Sequence, residues 1–167
     1  MINNLQDLYF DQVRDLYSAE TQLIAALPEM VSAATNADLR KAFADHLEET
    51  RNHLVRLEQV CASHGIIPNG EDCDAMRGLV KESRKHLSES ASGDVRDAVL
   101  IASANRIEHY EIAGYGVAKA FATVLGFDEA ANLLDETLQE EGRADKAVTA
   151  LAMGGMFSSG INEEAVR

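Results

Sequence analysis

The chain has 167 residues, with 28 Asp plus Glu against 15 Lys plus Arg and a formal charge of -13. That balance repels nucleic acid and anionic membranes, so neither is an expected partner. The length fits one domain around one hydrophobic core. Only two prolines occur, and the abundance of Ala, Leu and Glu favours an all-α fold. Cys61 and Cys73 lack CxxC spacing and read as thiols of a reducing compartment rather than as a disulfide. The polar N-terminus resembles no signal peptide, and no apolar run reaches the length of a membrane span, so a cytoplasmic protein is expected.

The first helix is predicted from about Asn4 to Ala34. Leu5, Leu8, Tyr9, Val13, Leu16, Leu23, Ile24 and Leu27 recur at helical spacing, Asn4 is the cap, and Pro28 removes one backbone donor and is expected to kink the later part. A turn at Asn36-Ala37-Asp38 opens a second helix reaching about His64, with Leu39, Phe43, Leu47, Leu54, Leu57 and Val60 as its stripe. Gly65 stops it, and the segment from Ile66 to Asp72 is the clearest connection in the chain. Met76, Leu79, Val80 and Leu87 mark a short accessory helix, in which Cys73 is a small apolar filler rather than a nucleophile. Asp94 is expected to cap a third long helix that runs to Leu125 before Gly126, and Asp128 starts a fourth that runs to Met153. Periodicity is lost after Met153. Residues 1–153 are therefore assigned to the bundle and 154–167 to a loosely ordered tail, whose Met156 and Phe157 are candidates to dock on the bundle or on a partner subunit.

Each long helix breaks its apolar stripe with acids near its middle. The third does so most clearly: Ile101, Ala104, Glu108, Glu111, Tyr115, Ala118, Ala122 and Leu125 share one face. Glu20 lies on or beside the face of the first helix. His46, Glu49, Thr50 and His53 share a face of the second, while Glu48, Arg51 and Asn52 point elsewhere. The fourth carries Glu141 and Asp145 in line with Leu134, Leu138 and Val148, with Glu140 one position round. A carboxylate in an apolar interior must be protonated, paired with a base, or bound to a cation. Otherwise these acids lie off the core and are solvated, or join the histidines in hydrogen bonds on its flank. Four long amphipathic segments fit an up-down four-helix bundle with a crossover between the second and third long helices. One Glu from each of two helices, with Glu plus His from the other two, is the donor set that holds two irons or manganese ions in ferritin-like carboxylate proteins. Oxygen donors with few imidazoles favour those metals over copper.

The segments Asp15-Leu16-Tyr17-Ser18-Ala19-Glu20, His46-Leu47-Glu48-Glu49-Thr50, Glu108-His109-Tyr110-Glu111-Ile112-Ala113-Gly114-Tyr115-Gly116 and Glu136-Thr137-Leu138-Gln139-Glu140-Glu141, in this order, resemble the YciF branch of the YciE/YciF stress-protein family. The resemblance extends to about Met153. It implies a ferritin-like fold akin to rubrerythrin, a homodimer and a role in stress. It also implies metal-ligand roles for Glu20, for Glu49 with His46 or His53, for Glu108 and Glu111, and for Glu141. The usual Glu-x-x-His step is missing, since Asn52 follows Glu49 and Ala144 follows Glu141. Glu49 with His53 is then a four-residue step, and Asp145 has to serve where a His is lacking.

Two functions of different class follow. One is a di-metal oxidoreductase, with two iron ions or manganese, reacting with peroxide or dioxygen; Tyr115 is a nearby hydrogen-bond donor or radical sink. No paired CxxC motifs supply an electron-donor module. The other is a non-enzymatic dimeric stress protein that uses a cation or an acid-His network as structural glue. Ferritin-style iron storage is a weaker third option. His64, His86 and His109 are assigned to the surface.

Overall fold

The computed structural model describes residues 2–155 and 158–166. Helix α1 spans Leu5–Ala33, α2 Ala37–Ser63, α3 Asp74–Glu89, α4 Asp94–Leu125 and α5 Asp128–Met153. Two short paired strands follow, β1 (Gly154–Gly155) antiparallel to β2 (Ser158–Ser159), and then a single turn, α6 (Ile161–Glu164). No described helix is long and apolar enough to cross a membrane.

The ends of the helices follow local chemistry. Asn4 accepts a hydrogen bond from the Asp7 backbone N–H at 2.8 Å, and Asn36 caps α2 through the N–H groups of Asp38 and Leu39. Gly126 adopts φ 75°, and the Phe127 N–H returns to the Ala122 carbonyl, which turns α4 into α5 within two residues. Asp94 is not the cap of α4 as expected. Gly93 precedes the helix without a side-chain bond, and Asp94 is the first helical residue. Pro28 is accommodated inside α1, which continues through it as one element to Ala33.

Contacts between helices fix their directions. Gly114 on α4 faces Leu16 on α1, and Asp97 near the start of α4 reaches Thr35 beyond the end of α1, so α1 and α4 are antiparallel. Arg56 meets Thr137 while His53 meets Glu140, so α2 and α5 are antiparallel too. The connection after α2 must therefore travel the length of the bundle before α4 begins. Helix α3 covers part of this distance, packed on α1 and α4, with Cys73 against Ser18 and Arg84 against Glu29. This is the expected all-α, ferritin-like four-helix bundle with an accessory crossover helix.

The interior is layered. One apolar cluster gathers Leu23, Leu27, Met30, Leu39, Phe43, Leu100, Ile107 and Val148; another gathers Tyr9, Val13, Leu16, Leu57, Val60, Tyr115, Ala118 and Leu134. On each long helix the polar residues fall between the two. Glu20 separates Leu16 from Leu23, His46 and His53 lie between Phe43 and Leu57, Glu108 and Glu111 lie between Ile107 and Tyr115, and Glu141 lies between Leu134 and Val148. Close approach of α1 and α4 at this level depends on Gly114, where an added Cβ would sit 2.8 Å from the Leu16 Cδ2 atom.

Among the described residues after Met153, where lost periodicity suggested a loose tail, some pack on the bundle. Ile161 is buried in the first apolar cluster, and Gly160 lies so close to the end of α5 that a Cβ there would meet the Ala152 carbonyl oxygen at 2.3 Å. A short segment with one buried anchor carries no helical period to read. Met156 and Phe157, expected to dock, lie outside the described residues.

Candidate metal centre

The helical period turns Glu20, His53, Glu108, Glu111 and Glu141 inward, with relative exposures of 0, 0, 3, 0 and 0%, and His46 joins them at 4%. Helix α1 supplies one acid, α4 two acids a turn apart, α5 one acid, and α2 two imidazoles. Among the described residues, two groups of donor atoms each lie within 4.8 Å of one another: His46, Glu108, Glu111 and Glu141 form one, and Glu20, His53 and Glu141 form the other. Glu141 belongs to both.

The distances are those of a convergent set. His46 Nε2 is 3.2 Å from Glu108 Oε1 and 3.8 Å from Glu141 Oε2. His53 Nδ1 is 2.9 Å from Glu141 Oε1 and 3.3 Å from Glu20 Oε1. None of these approaches has the geometry of a hydrogen bond. Glu20 Oε2, both His46 nitrogens, His53 Nδ1, Glu108 Oε2 and all four oxygens of Glu111 and Glu141 are buried without a hydrogen-bond partner. Buried polar groups are nearly always paired, because an unmet group costs about 1–3 kcal/mol. So many orphaned atoms in one layer point at a shared space rather than at each other.

Electrostatics say the same. Burial pushes Glu111 well above the ordinary carboxylate range, and Glu20, Glu141 and Glu108 nearby push it further. Burial also raises Glu108, against the attraction of His46, and raises Glu141, against its contact with His53. For His53, burial disfavours the charged ring, but Glu141 and Glu20 outweigh it and lift the pKa to about 10. His46 is raised likewise, burial being overcome chiefly by Glu108. Four acids and two bases are thus confined together, with Glu108, Glu111 and Glu141 holding protons that a metal ion would displace. Two divalent cations against four carboxylates and two neutral imidazoles leave no net charge.

Around this centre, partners fix orientation. Tyr115, fully buried, donates its hydroxyl hydrogen to Glu20 Oε1. Glu140 takes His53 Nε2 at 2.9 Å and is itself held by Arg56, with Nη2 3.0 Å from Glu140 Oε1. In the neutral ring, the form that binds a metal, the His53 proton is therefore placed on Nε2, and the Nδ1 lone pair faces the acids. The Thr50 hydroxyl donates to the His46 carbonyl at 2.8 Å.

Two sequence candidates stand outside the two groups. Glu49 has a side chain 42% exposed, 3.5 Å from His46 Nδ1 on its outer side. The centre of the α2 face runs through His46, Thr50 and His53, and Glu49 lies about 100° to one side of Thr50. Asp145 turns to the seam with α4, accepting a hydrogen bond from Asn105 Nδ2 at 2.8 Å and lying 3.2 Å from His109 Nε2. Four residues of helix advance about 40° beyond a full turn, which carries Asp145 off the line of Glu141. Arg56 was not singled out in the sequence, since nothing local marks an arginine whose partner is on another helix. His64, assigned to the surface, is half-buried, its ring 4.3 Å from that of Phe127. Cys61 and Cys73 are both buried free thiols, and Cys73 caps α3 while touching Tyr110 and Asp15.

The centre is not sealed. A surface cleft of about 370 Å³ reaches it, lined by Phe43, Glu49, His46 and Glu108 among others.

A family model described as a domain of unknown function, DUF892, matches residues 4–165. Protein YciF of Escherichia coli strain K12 is 39% identical over 163 residues, covering 97% of this chain and 98% of that protein. The crystal structure of the Escherichia coli stress protein YciF is similar at a TM-score of 0.87 and 42% identity, covering 91% of this chain and 96% of that one. YcfI of Rhodopseudomonas palustris, whose description suggests a structural protein, is similar at a TM-score of 0.88 and 41% identity, covering 90% of this chain and 96% of that one.

Proposed function

The chain belongs to the YciF-like DUF892 family, and from that premise we propose that it is a ferritin-like di-metal carboxylate protein of stress response that reacts with peroxide or dioxygen. The carrying observation is the layer of buried, unpartnered carboxylate and imidazole atoms shared by four helices. The donor set fits two iron ions, with manganese as the second choice, because hard oxygens dominate and only two imidazoles are available. Glu20, His53 and Glu141 would hold one ion, and His46, Glu108, Glu111 and Glu141 would hold the other. When bound, such a pair supplies redox equivalents and open positions for a small oxidant.

The protein's own groups prepare that chemistry. Arg56 and Glu140 keep the His53 ring in one tautomer. Tyr115, whose pKa burial and Glu20 push well up, keeps its proton and orients Glu20. The cleft at His46 and Glu108 admits molecules the size of peroxide, while the apolar layers above and below keep bulk water from the ligands.

Anaerobic loading of the untagged protein with Fe(II), followed by peroxide or dioxygen, tests the reading optically. Faster oxidation by peroxide than by dioxygen is expected; Fe(II) that stays inert to both contradicts a redox role. The suggested structural role of the Rhodopseudomonas palustris relative favours a second reading, a non-enzymatic protein in which a cation or the acid-His network acts as glue. In that case metal raises the melting temperature but oxidants consume nothing.

The homodimer is likewise a proposal. Val117 and Val124, exposed one above the other on α4, offer an apolar stripe for it. Light scattering is expected to give twice the 18.2 kDa chain mass, and a monomer at micromolar concentration contradicts it.

A further inference from the structure

The cleft ends on a histidine with two faces. His46 is 4% exposed and neither ring nitrogen has a hydrogen-bond partner. Its Nε2 edge lies 3.2 Å from buried Glu108; its Nδ1 edge lies 3.5 Å from Oε2 of Glu49, a half-exposed residue of the cleft lining. Glu49 is 42% exposed and has no Lys or Arg partner among the described residues. The rim bases are taken up elsewhere, Lys41 by Asp45 and Arg143 by Glu140 at 3.9 Å. Asp38 adds a further acid to the lining.

We propose that Glu49 and the Nδ1 edge of His46 form an entry site for a divalent cation at the floor of the cleft, from which the ion passes to the buried donors. The inference rests on the metal reading above and gives Glu49 a transit role in place of a resident one. A neutral imidazole has a single lone pair, with a proton on its other nitrogen. His46 therefore cannot hold an ion on both edges at once, and the outer and inner positions are used in succession. When an ion is held at Nε2, the proton sits on Nδ1 and Glu49 accepts its hydrogen bond. The same carboxylate thus receives the ion first and steadies the ring afterwards. A half-exposed acid suits transit because it keeps its hydration and binds weakly enough to release, whereas Glu108 and Glu111 are dry.

The test uses apo-protein and Mn(II), with free Mn(II) followed by a fluorescent indicator after rapid mixing. Three chains are compared: wild type, Glu49→Gln, and Glu48→Gln as a control whose side chain pairs with Arg51 away from the cleft. Glu49→Gln is expected to slow uptake about tenfold, the low end of what focused charge contributes to association. Entry and exit slow together, and the Gln amide oxygen still accepts the His46 Nδ1–H bond, so the number of ions bound and their affinity at equilibrium are unchanged. Raising ionic strength slows the wild type and Glu48→Gln more than it slows Glu49→Gln. Fewer ions or weaker binding in Glu49→Gln at an unchanged uptake rate makes Glu49 a resident ligand and overturns the inference. Wild-type rates in Glu49→Gln overturn it as well, because the ion then enters elsewhere. A wild-type chain that takes up no Mn(II) defeats the metal reading and this inference together, an outcome distinct from the other two.

Discussion

Glu111 sits in the interior among other acids. It is fully buried, neither oxygen has a partner, and burial with three neighbouring acids raises its pKa. An amide of the same shape keeps the volume and spares the fold the cost of holding that carboxyl protonated. Glu111→Gln is therefore expected to stabilise the apo-protein at pH 8, where the unfolded chain has lost the carboxyl proton that the fold retains, and to lower its metal capacity. Urea unfolding with metal titration checks both, and a destabilised variant with full metal capacity contradicts the account. At this scale the sequence was readable where a helical period was involved. Glu20, Glu108, Glu111 and Glu141 interrupt apolar stripes, and the period alone turns them inward. Glu49 and Asp145 show its limit: a step of one residue, or of one turn, leaves the choice of face to how neighbouring helices are rotated. Arg56 and Glu140 were not legible as a pair, because their meeting depends on the register of α2 against α5.

The helices themselves were legible because caps and breakers coincide with changes in periodicity: Asn4, Asn36 and Gly126 lie where α1, α2 and α4 begin or end. What ties the elements together was less so. Asp97, in the first turns of α4, reads as an ordinary helix-start acid, yet it is 0% exposed and clasps the turn between α1 and α2. It accepts from the Thr35 N–H at 2.7 Å, the Thr35 hydroxyl at 2.5 Å and the Asn36 N–H at 2.7 Å. Asp97→Ala leaves two backbone donors unmet and removes three charge-assisted bonds. A loss of about 3 kcal/mol is expected in chemical denaturation, with faster hydrogen exchange at Thr35 and Asn36; a change below about 0.5 kcal/mol, typical of surface substitutions, contradicts the clasp. The docking of Ile161 is of the same kind. One anchor residue beyond two glycines carries no period, and only the completed bundle gives it a place.

Across the whole molecule, the polar layer makes stability depend on pH and metal together. Glu108, Glu111 and Glu141 have folded pKa values raised above the unfolded ones, so they retain protons that the unfolded chain has lost, and stability falls as pH rises above the unfolded carboxylate range. The histidines act in the same direction. His53, raised to about 10, stabilises the fold fully below its ordinary 6.5 and loses that contribution as pH rises toward 10. The apo-protein is therefore expected to melt at progressively lower temperature from pH 5 to pH 9, a range above that in which surface carboxylates titrate. Ions compete with these protons, so the gain in melting temperature on loading grows over the same range. A pH-independent apo melting temperature contradicts the charge assignment. The bundle and its crossover were expected from the sequence because four long segments and one clear connection leave few arrangements.

The central claim is that this layer is built around a pair of cations. The direct measurement is the number of Fe(II) or Mn(II) ions bound by dialysed, untagged apo-protein under anaerobic conditions, with the melting temperature recorded at each addition. The account predicts about two ions per chain, as in bundle sites of this type, and a melting temperature that rises until both positions are filled. No uptake, with a melting temperature unmoved by either metal, would contradict it and leave the layer as a protonated acid-His network.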